Sequence, residues 1–363
     1  MLENLERVLE MEKINVGLIG AGWCGGIRAN TCAGSPIVDE LHLAEINEDR
    51  LKEVAEQTNA TSATTDYREV IARDNLDTII ISATPETTHY PMAKESLLAG
   101  RHVFLEKPLA LTLDEADELI QLGKDKELKF AIGYSQRFNP KFAYVKKCLT
   151  ERSIGDPVSA LVSRHVSRGL GKKISGRIKL SPAAMEATHD IDFVLWCLEP
   201  ARPVRVYSQT MYGALEDFSG SPDGQWIMVT MDNGVVFTIG AGWSMPPGYK
   251  NYASTWIEVT GTDGMLVVDD THRDVIFNTM ENGIQLPMSS MPGEPLGHVF
   301  AGPMHNETVH YLEAVAFDRP VMCSAETARR VMDVYIAADI SDERNEAVTL
   351  PLSGATLSAV AAA

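Results

Sequence analysis

Residues 14–25 read Ile-Asn-Val-Gly-Leu-Ile-Gly-Ala-Gly-Trp-Cys-Gly. An apolar, β-prone run over Ile14–Gly20 enters a glycine turn, and helix-forming sequence follows. Gly-x-Gly-x-x-Gly between a strand and a helix fits a dinucleotide. Gly20 allows the tight bend, Gly22 lets backbone approach a pyrophosphate, and Gly25 lets helix and strand pack closely. Amides at the helix N-terminus then meet the diphosphate with the positive end of the helix dipole. Three glycines alone also suit a bare turn, so the next strand matters. It runs Leu41–Glu45, which puts Glu45 20 residues after Gly25. A carboxylate there accepts hydrogen bonds from the ribose hydroxyls and repels a 2′-phosphate, and Ile46 and Asn47 add no arginine to hold one. The expected cofactor is therefore NAD rather than NADP. Trp23 and Cys24 lie within the turn. A thiol at a helix N-terminus can acidify, but a small residue filling a tight corner is the plainer reading of Cys24.

Outward from this turn the strand–helix rhythm repeats. Thr78–Ser82 is a continuous β-branched run, as in a strand covered on both faces. A helix over His89–Ala99 stops at Gly100, and His102–Leu105 is another strand. Thr112 and Glu115 have capping-box spacing, and Phe130–Gly133 is the last strand of the series. The pattern predicts a doubly wound parallel sheet over residues 13–132. From 133 to 352 the sequence changes to strand-like runs at 158–166, 204–210, 226–231, 235–240, 256–260 and 265–269. Asn233-Gly234 and Asp263-Gly264 mark hairpin turns. Ser181 and Pro182 open one helix that ends at Glu199-Pro200, and two late helices, about 306–317 and 325–345, are expected to pack back near the first domain. This predicts an α+β domain around a large, mostly antiparallel open sheet. Residues 1–12 read as a short helical leader and 353–363 as a fraying tail.

Composition narrows the function. With 363 residues, two domains are expected. Lys and Arg number 32 against 50 Asp and Glu, a net charge of −18 that disfavours nucleic acid and anionic membrane as partners. Five scattered cysteines form no CxxC pair and suit a reducing, cytoplasmic setting. No apolar run reaches the roughly 18 residues of a membrane helix, and the N-terminus lacks a signal peptide's charge pattern. His298, His305 and His310 have no standard ligand spacing, so no metal is expected.

Chemistry-bearing residues cluster where such sheets bind ligands. Glu106-Lys107-Pro108 follows the strand ending at Leu105, and Ala83-Thr84-Pro85 with His89 follows the strand before it. Lys107 could polarise a hydroxyl or carbonyl oxygen; taken alone it equally suits a surface lysine before a proline turn. His189 suits proton transfer near neutral pH, although a core histidine is the plain alternative. Glu186, His189 and Asp192, spaced by three, would share a helix face and orient one another.

With the glycine turn, Glu-Lys-Pro and His189-Asp-Ile-Asp192, the stretch from Ile14 to Leu352 resembles the glucose–fructose oxidoreductase, inositol dehydrogenase and rhizopine catabolism (Gfo/Idh/MocA) family. Arg137-Phe-Asn-Pro140 and Glu258-Val-Thr-Gly261-Thr add to the likeness. The resemblance implies NAD(P)-dependent dehydrogenases or reductases acting on sugars, inositols and related polyols. It implies that Lys107 contacts substrate and nicotinamide beside a cis Lys–Pro bond, and that His189 is the acid/base group. It also implies a homo-dimer or homo-tetramer formed through the open sheet. Members often carry a carboxylate four residues before the histidine. That place is Met185 here, with Glu186 one residue later.

Tyr134, Ser135 and Gln136 open the second domain where the family places substrate and nicotinamide contacts. Arg164, Arg168, Lys172, Lys173, Arg177 and Lys179 form a cationic run without acids, which suits an anionic substrate, an acidic partner surface, or a solvated loop. Trp243, Tyr249 and Tyr252 flank a Gly-Pro turn and suit either a sugar platform or a core. The leading expectation is an NAD-dependent oxidoreductase acting on a sugar or polyol. Two rivals are an NAD-retaining enzyme that cleaves glycosides through transient sugar oxidation and a non-catalytic NAD-responsive regulator.

Overall fold

A computed structural model of the chain describes residues 13–215, 222–246, 253–270, 277–281, 283–285, 294–296 and 299–352. The chain divides into two compact units, Met1–Ser135 with Pro292–Ala328, and Gln136–Met291 with Arg329–Ala363. Expected as one stretch from 133 to 352, the second domain instead gives up residues 292–328 to the first unit.

In the first unit the chain runs β1 (Ile14–Ile19), α1 (Trp23–Gly34), β2 (Val38–Ala44), α2 (Glu48–Thr58), β3 (Ser62–Thr64), α3 (Tyr67–Ile71), β4 (Thr78–Ile81), α4 (His89–Leu98), β5 (His102–Glu106), α5 (Leu113–Asp125) and β6 (Phe130–Gly133). Among the described residues the six strands pair in parallel in the order β3-β2-β1-β4-β5-β6. Strand order reverses beside β1, so the carboxyl ends of β1 and β4 form the switch point where doubly wound sheets bind ligands. Every residue of β4 is buried, as its β-branched run predicts. Thr112 and Glu115 form the expected capping box on α5, and Gly100 takes φ 77° after α4. The short β3 and α3 were not expected. They offer too few residues for a periodic signal.

In the second unit the chain runs α6 (Pro140–Thr150), β7 (Pro157–Ser167), α7 (Arg168–Ser175), a π-helical turn (Ala183–Ala187), α8 (Thr188–Leu198), β8 (Pro203–Met211), β9 (Gly224–Met231), β10 (Val236–Met245), β11 (Ala253–Gly261) and β12 (Met265–Asp269). Small ribbons follow, β13 (Phe277–Thr279) with β14 (Gly283–Gln285), then β15 (Glu294–Leu296) with β16 (Val299–Ala301) in the first unit. The chain closes with α9 (Pro303–Ala316), α10 (Ala325–Arg344) and β17 (Val348–Thr349). The large sheet has the order β12-β11-β7-β10-β9-β8-β17, antiparallel except where β7 meets β10. One face is buried by Val162, Val206, Ile227, Val229, Phe237, Ile239 and Ile257. Across the other face runs a register row of Tyr207, Met228, Thr238, Leu161, Glu258 and Val267. Of these, Tyr207, Met228, Leu161 and Val267 are exposed apolar side chains.

Helix α9 belongs to the first unit because its buried face completes that core. Tyr311 packs edge-on against Phe104 with centroids 5.3 Å apart, and its hydroxyl lies 2.6 Å from Thr78 Oγ1. Helix α10 falls almost wholly in the second unit. No helix among the described residues is long and apolar enough to cross a membrane.

Candidate active site

The three glycines of the turn after β1 do separate jobs. Gly20 has φ 86°, and a Cβ on it would stand 2.6 Å from the Ala83 backbone. A Cβ on Gly25 would fall 1.8 Å from the Gly20 carbonyl oxygen. The chain itself therefore demands both glycines. A Cβ on Gly22 would meet no atom within 4 Å. Among the described residues nothing crowds that position, so its bare backbone is a cradle that a side chain would fill. The residues present fit a dinucleotide. Glu45 follows β2, with Oε2 accepting from the Ala21 amide at 2.7 Å and Oε1 from the Asn47 amide at 3.0 Å. Its carboxylate thus stands beside the turn, where a ribose would be held.

Arg50 also reaches the turn and was not expected. Its Nε donates to the Ala21 carbonyl at 2.8 Å, and its Nη1 pairs with Glu53 at 2.7 Å. Five residues beyond Glu45, it reaches back from the first turn of α2, a placement that only the fold reveals. Trp23 is 60% exposed at the start of α1. Burial, with Glu106 next, pushes the Cys24 thiol up to about 12, so it fills space rather than acting as a thiolate.

Past β5, the Lys107–Pro108 bond is cis, as the resemblance implied, and Thr84–Pro85 is cis as well. Lys107 is half-buried, and its charge acts on the Cys24 thiol. The glycine turn and the lysine corner therefore lie together in the first unit. Two residues expected to touch cofactor are committed elsewhere. His89 is buried, with Nδ1 2.7 Å from the Pro108 carbonyl and Nε2 3.1 Å from that of Ala83. Burial lowers its pKa, so the neutral ring ties the loop after β4 to the corner after β5. Glu106 turns inward, its Oε1 accepting from Arg28 Nε at 2.8 Å and Nη2 at 2.6 Å. Thr84 and Pro85 remain exposed. Tyr134, expected at the substrate, is only 1% exposed and belongs to the core; Ser135 beside it is half-buried.

In the second unit Ser181 opens the His189 segment as expected, its Oγ accepting from the Ala184 amide at 3.1 Å. The plain helix expected next is instead a π-helical turn running into α8. The wider π turn shifts the helix phase, so a spacing of three no longer defines one face. Glu186 and Asp192 accordingly bind different arginines. Glu186 Oε1 accepts from Trp243 Nε1 at 3.0 Å and Oε2 from Arg164 Nη1 at 3.1 Å. Asp192 accepts from Arg137 Nε at 2.8 Å and Nη2 at 2.6 Å in a fully buried pair. From Pro182 to Leu195 every described residue is buried except His189.

Arg164 was expected among substrate cations, but it is buried and satisfied within the chain. Its Nε donates to both oxygens of Asp190, at 3.1 and 2.8 Å, and its Nη2 to the Glu186 carbonyl. Burial raises the Asp190 pKa to about 6, with Arg164 opposing. Gln136, only 3% exposed, lies close enough to Asp190 to ease that carboxylate's burial, yet neither amide atom makes a hydrogen bond of ordinary geometry.

Trp243, a candidate sugar platform, is 1% exposed and sealed among Val166, Ile174, Met185, Leu215 and Ala253. A large indole whose N–H already serves Glu186 is core, not surface. Tyr249, Tyr252 and His298 lie outside the described residues. Arg168 donates to the Ser244 carbonyl at 3.1 Å, while Lys172, Lys173, Arg177 and Lys179 are exposed on α7 and just beyond it. His305 Nδ1 lies 3.2 Å from Thr31 Oγ1, and His310 Nε2 accepts from the Met322 amide at 3.0 Å.

A parallel sheet of this strand order with a glycine cradle at its switch point and a carboxylate beside the turn has the form of a dinucleotide-binding domain. Residues 14–134 match the oxidoreductase family with an NAD-binding Rossmann fold, and residues 142–267 match the Gfo/Idh/MocA C-terminal domain. The chain belongs to the Gfo/Idh/MocA family of NAD-binding oxidoreductases. It is 27% identical over 332 residues to levoglucosan dehydrogenase of Pseudarthrobacter phenanthrenivorans, covering 81% of this chain and 82% of the relative. It is 26% identical over 280 residues to myo-inositol 2-dehydrogenase of Thermotoga maritima, covering 74% and 79%. Scyllo-inositol dehydrogenase of Lactobacillus casei, solved with NAD(H) and scyllo-inositol, shares the fold with TM-score 0.80 at 20% identity, covering 93% and 99%.

Proposed function

We propose that the protein interconverts a secondary hydroxyl and its carbonyl on a sugar, inositol or related polyol, with NAD as the redox partner. The observation that carries this reading is the open cradle at Gly22 close to the Lys107 corner, in one unit. Gly20, Gly22, Gly25 and the start of α1 would hold the diphosphate, Glu45 the ribose, and Thr84 and Pro85 the approach to the nicotinamide. Its expulsion of a 2′-phosphate is why Glu45 favours NAD over NADP. Bound nicotinamide supplies the two-electron acceptor or donor. His189 takes the hydroxyl proton when the polyol is oxidised and returns it in the reverse direction, which histidine's ordinary pKa near 6.5 suits. Lys107, in the first unit, donates a charge-assisted hydrogen bond to a substrate oxygen that gains negative charge in the reaction. Gln136 contributes its amide to cofactor or substrate, and Ser135 borders it. Glu186 and Asp192 act indirectly, by fixing the segment that carries His189. Dehydrogenase activity in the levoglucosan and inositol relatives supports a polyol substrate.

The exposed cations of α7 favour an anionic member of that class. Among the described residues, Lys172, Lys173 and Lys179 form no ion pair in a chain of net charge −18. The exposed row Tyr207, Met228, Leu161 and Val267 favours assembly as a homo-dimer or homo-tetramer through the open sheet. A panel of inositols, aldoses, sugar acids and sugar phosphates, followed by nicotinamide absorbance with NAD and NADP, tests the reading. It predicts NADH formation on at least one polyol. Aglycone release without NADH would favour the glycoside-cleaving rival. NAD binding without turnover, indifferent to Lys107→Ala, would favour the regulator.

A further inference from the structure

We infer that Arg28 is a positioning residue for Lys107: a buried guanidinium that bolts the Glu106–Lys107 corner to α1 and α9. The inference rests on the reading above only in giving Lys107 its role.

The Arg28 side chain leaves α1 one turn beyond the glycine motif and is 1% exposed. Its Nε and Nη2 donate to Glu106 Oε1, Nη2 also donates to Glu307 Oε2 at 2.8 Å, and Nη1 donates to Thr308 Oγ1 at 2.9 Å. Its guanidinium carbon lies 4.1 Å from the centroid of the Phe104 ring, so both the edge and a face of the fork are used. Three elements meet on this one cation. Helix α1 carries the glycine turn, β5 delivers Lys107 as its next residue, and α9 returns from far along the chain. Gly133 at the end of β6 leaves the room, because a Cβ there would stand 2.8 Å from Glu106 Oε2 and 3.3 Å from Arg28 Nη2.

Electrostatics make the clamp obligatory. Burial alone would lower the arginine's pKa, but Glu106 and Glu307 outweigh it and hold Arg28 charged. Glu307 and Glu106 in turn need that cation, because a carboxylate at this depth stripped of its partner is strongly destabilising. A lysine could replace the charge but not the planar fork that reaches Glu106, Glu307 and Thr308 at once. Since α1 bears both Arg28 and the dinucleotide turn, the clamp sets how far Lys107 stands from that turn. A displacement of about 1 Å there costs about 100-fold in rate.

The test uses the full chain with Arg28→Lys and Glu307→Gln, which keep the charge of one partner and the volume of the other. NAD binding is read by quenching of tryptophan fluorescence, turnover by NADH absorbance. Lys107 accessibility in the NAD-free protein is read by limited acetic anhydride labelling and peptide mass spectrometry, with Lys13 and Lys52 as references. Arg28→Lys should lower kcat about 30-fold while the Kd for NAD changes less than about 3-fold, and Lys107 labelling should shift at least about 3-fold. Glu307→Gln should move the same readouts in the same direction by less. An unchanged kcat per folded molecule, with unchanged labelling, would overturn the inference even if the melting temperature fell. If the wild type turns over no polyol, the functional reading fails, but the labelling arm still decides the role of Arg28. Should both variants fail to fold, Thr308→Val removes one acceptor and carries the same labelling test, with no shift again overturning the inference.

Discussion

Each unit of this chain buries one arginine between two carboxylates close to a candidate reactive side chain. Arg28 holds Glu106 and Glu307 behind Lys107, and Arg164 holds Asp190 and Glu186 beside His189. Both guanidinium groups are sealed from solvent, and in both burial opposes the charge while the paired acids restore it. They differ in reach. Arg164 finds its acids 22 and 26 residues away, within one strand–turn–helix segment. Arg28 finds Glu106 78 residues away and Glu307 279 residues away. The second-unit clamp can assemble as its segment folds, whereas the first-unit clamp cannot close until α9 returns.

Breaking the local clamp should have the largest effect on stability. Arg164→Met leaves Asp190 and Glu186 buried without their cation and should cost about 3–5 kcal/mol by urea unfolding. Adding Asp190→Asn and Glu186→Gln should return most of that loss, since the cost lies in the stranded charges. A loss under about 1 kcal/mol for Arg164→Met would remove the parallel between the clamps.

The glycine turn sharpens the contrast between what the fold needs and what the ligand needs. Gly22→Val should lower the unfolding free energy, read by urea, by no more than about 1 kcal/mol, the cost of a poorer N-cap, because no described atom stands within 4 Å of that position. It should nevertheless weaken NAD binding by at least about 10-fold, the loss expected when a side chain fills a phosphate cradle. Gly25→Ala should damage stability and binding together, since its Cβ would strike the Gly20 carbonyl. Equal behaviour of the two variants would contradict the division of labour.

These features were not equally legible. The parallel unit could be read from period and punctuation: a glycine turn, buried β-branched runs, the Thr112 capping box and the stop at Gly100. The place of Glu45 beside the turn was legible because it lies at a fixed distance from a local motif. The inward turn of Glu106 and the core burial of Tyr134 and Trp243 were not, because residue type alone cannot say which neighbours enclose a side chain. The π-helical turn before His189 escaped because a 3.6-residue period is the default expectation for any apolar helix, and one widened turn leaves no compositional mark. Arg28 and Glu307 escaped for a simpler reason. No local pattern relates residues so far apart.

A smaller effect separates the units by pH. Burial raises Asp339 to about 7 and Asp190 to about 6, against an ordinary 3.8. The folded chain thus keeps protons that the unfolded chain releases, so this stabilisation is full below about pH 3.8, declines as pH rises above it, and is gone once pH has passed about 6 for Asp190 and about 7 for Asp339. Asp339 accepts from Ser181 Oγ at 2.9 Å and lies 3.4 Å from Gln225 Nε2, at the entrance to the π-helical turn. Asp339→Asn should flatten the fall in melting temperature between about pH 4 and pH 7, the span between the ordinary and the raised pKa. An unchanged slope would show that Asp339 does not titrate there.

The smallest expected effect is on specificity. Lys172→Glu with Lys173→Glu should lower kcat/KM for anionic sugars about 5-fold in dilute buffer and leave neutral polyols unaffected, with the difference vanishing at high salt. Equal loss on both substrate classes, or none on either, would assign these lysines to solvent.

The most direct test of the account is the rate of a single turnover, followed as NADH formation on the best polyol, in Lys107→Met and in His189→Ala. The account predicts that each falls about 100- to 10,000-fold with NAD binding retained, and that added imidazole restores part of the rate in His189→Ala alone. Near-normal turnover in either variant, with the protein folded and NAD bound, would contradict it.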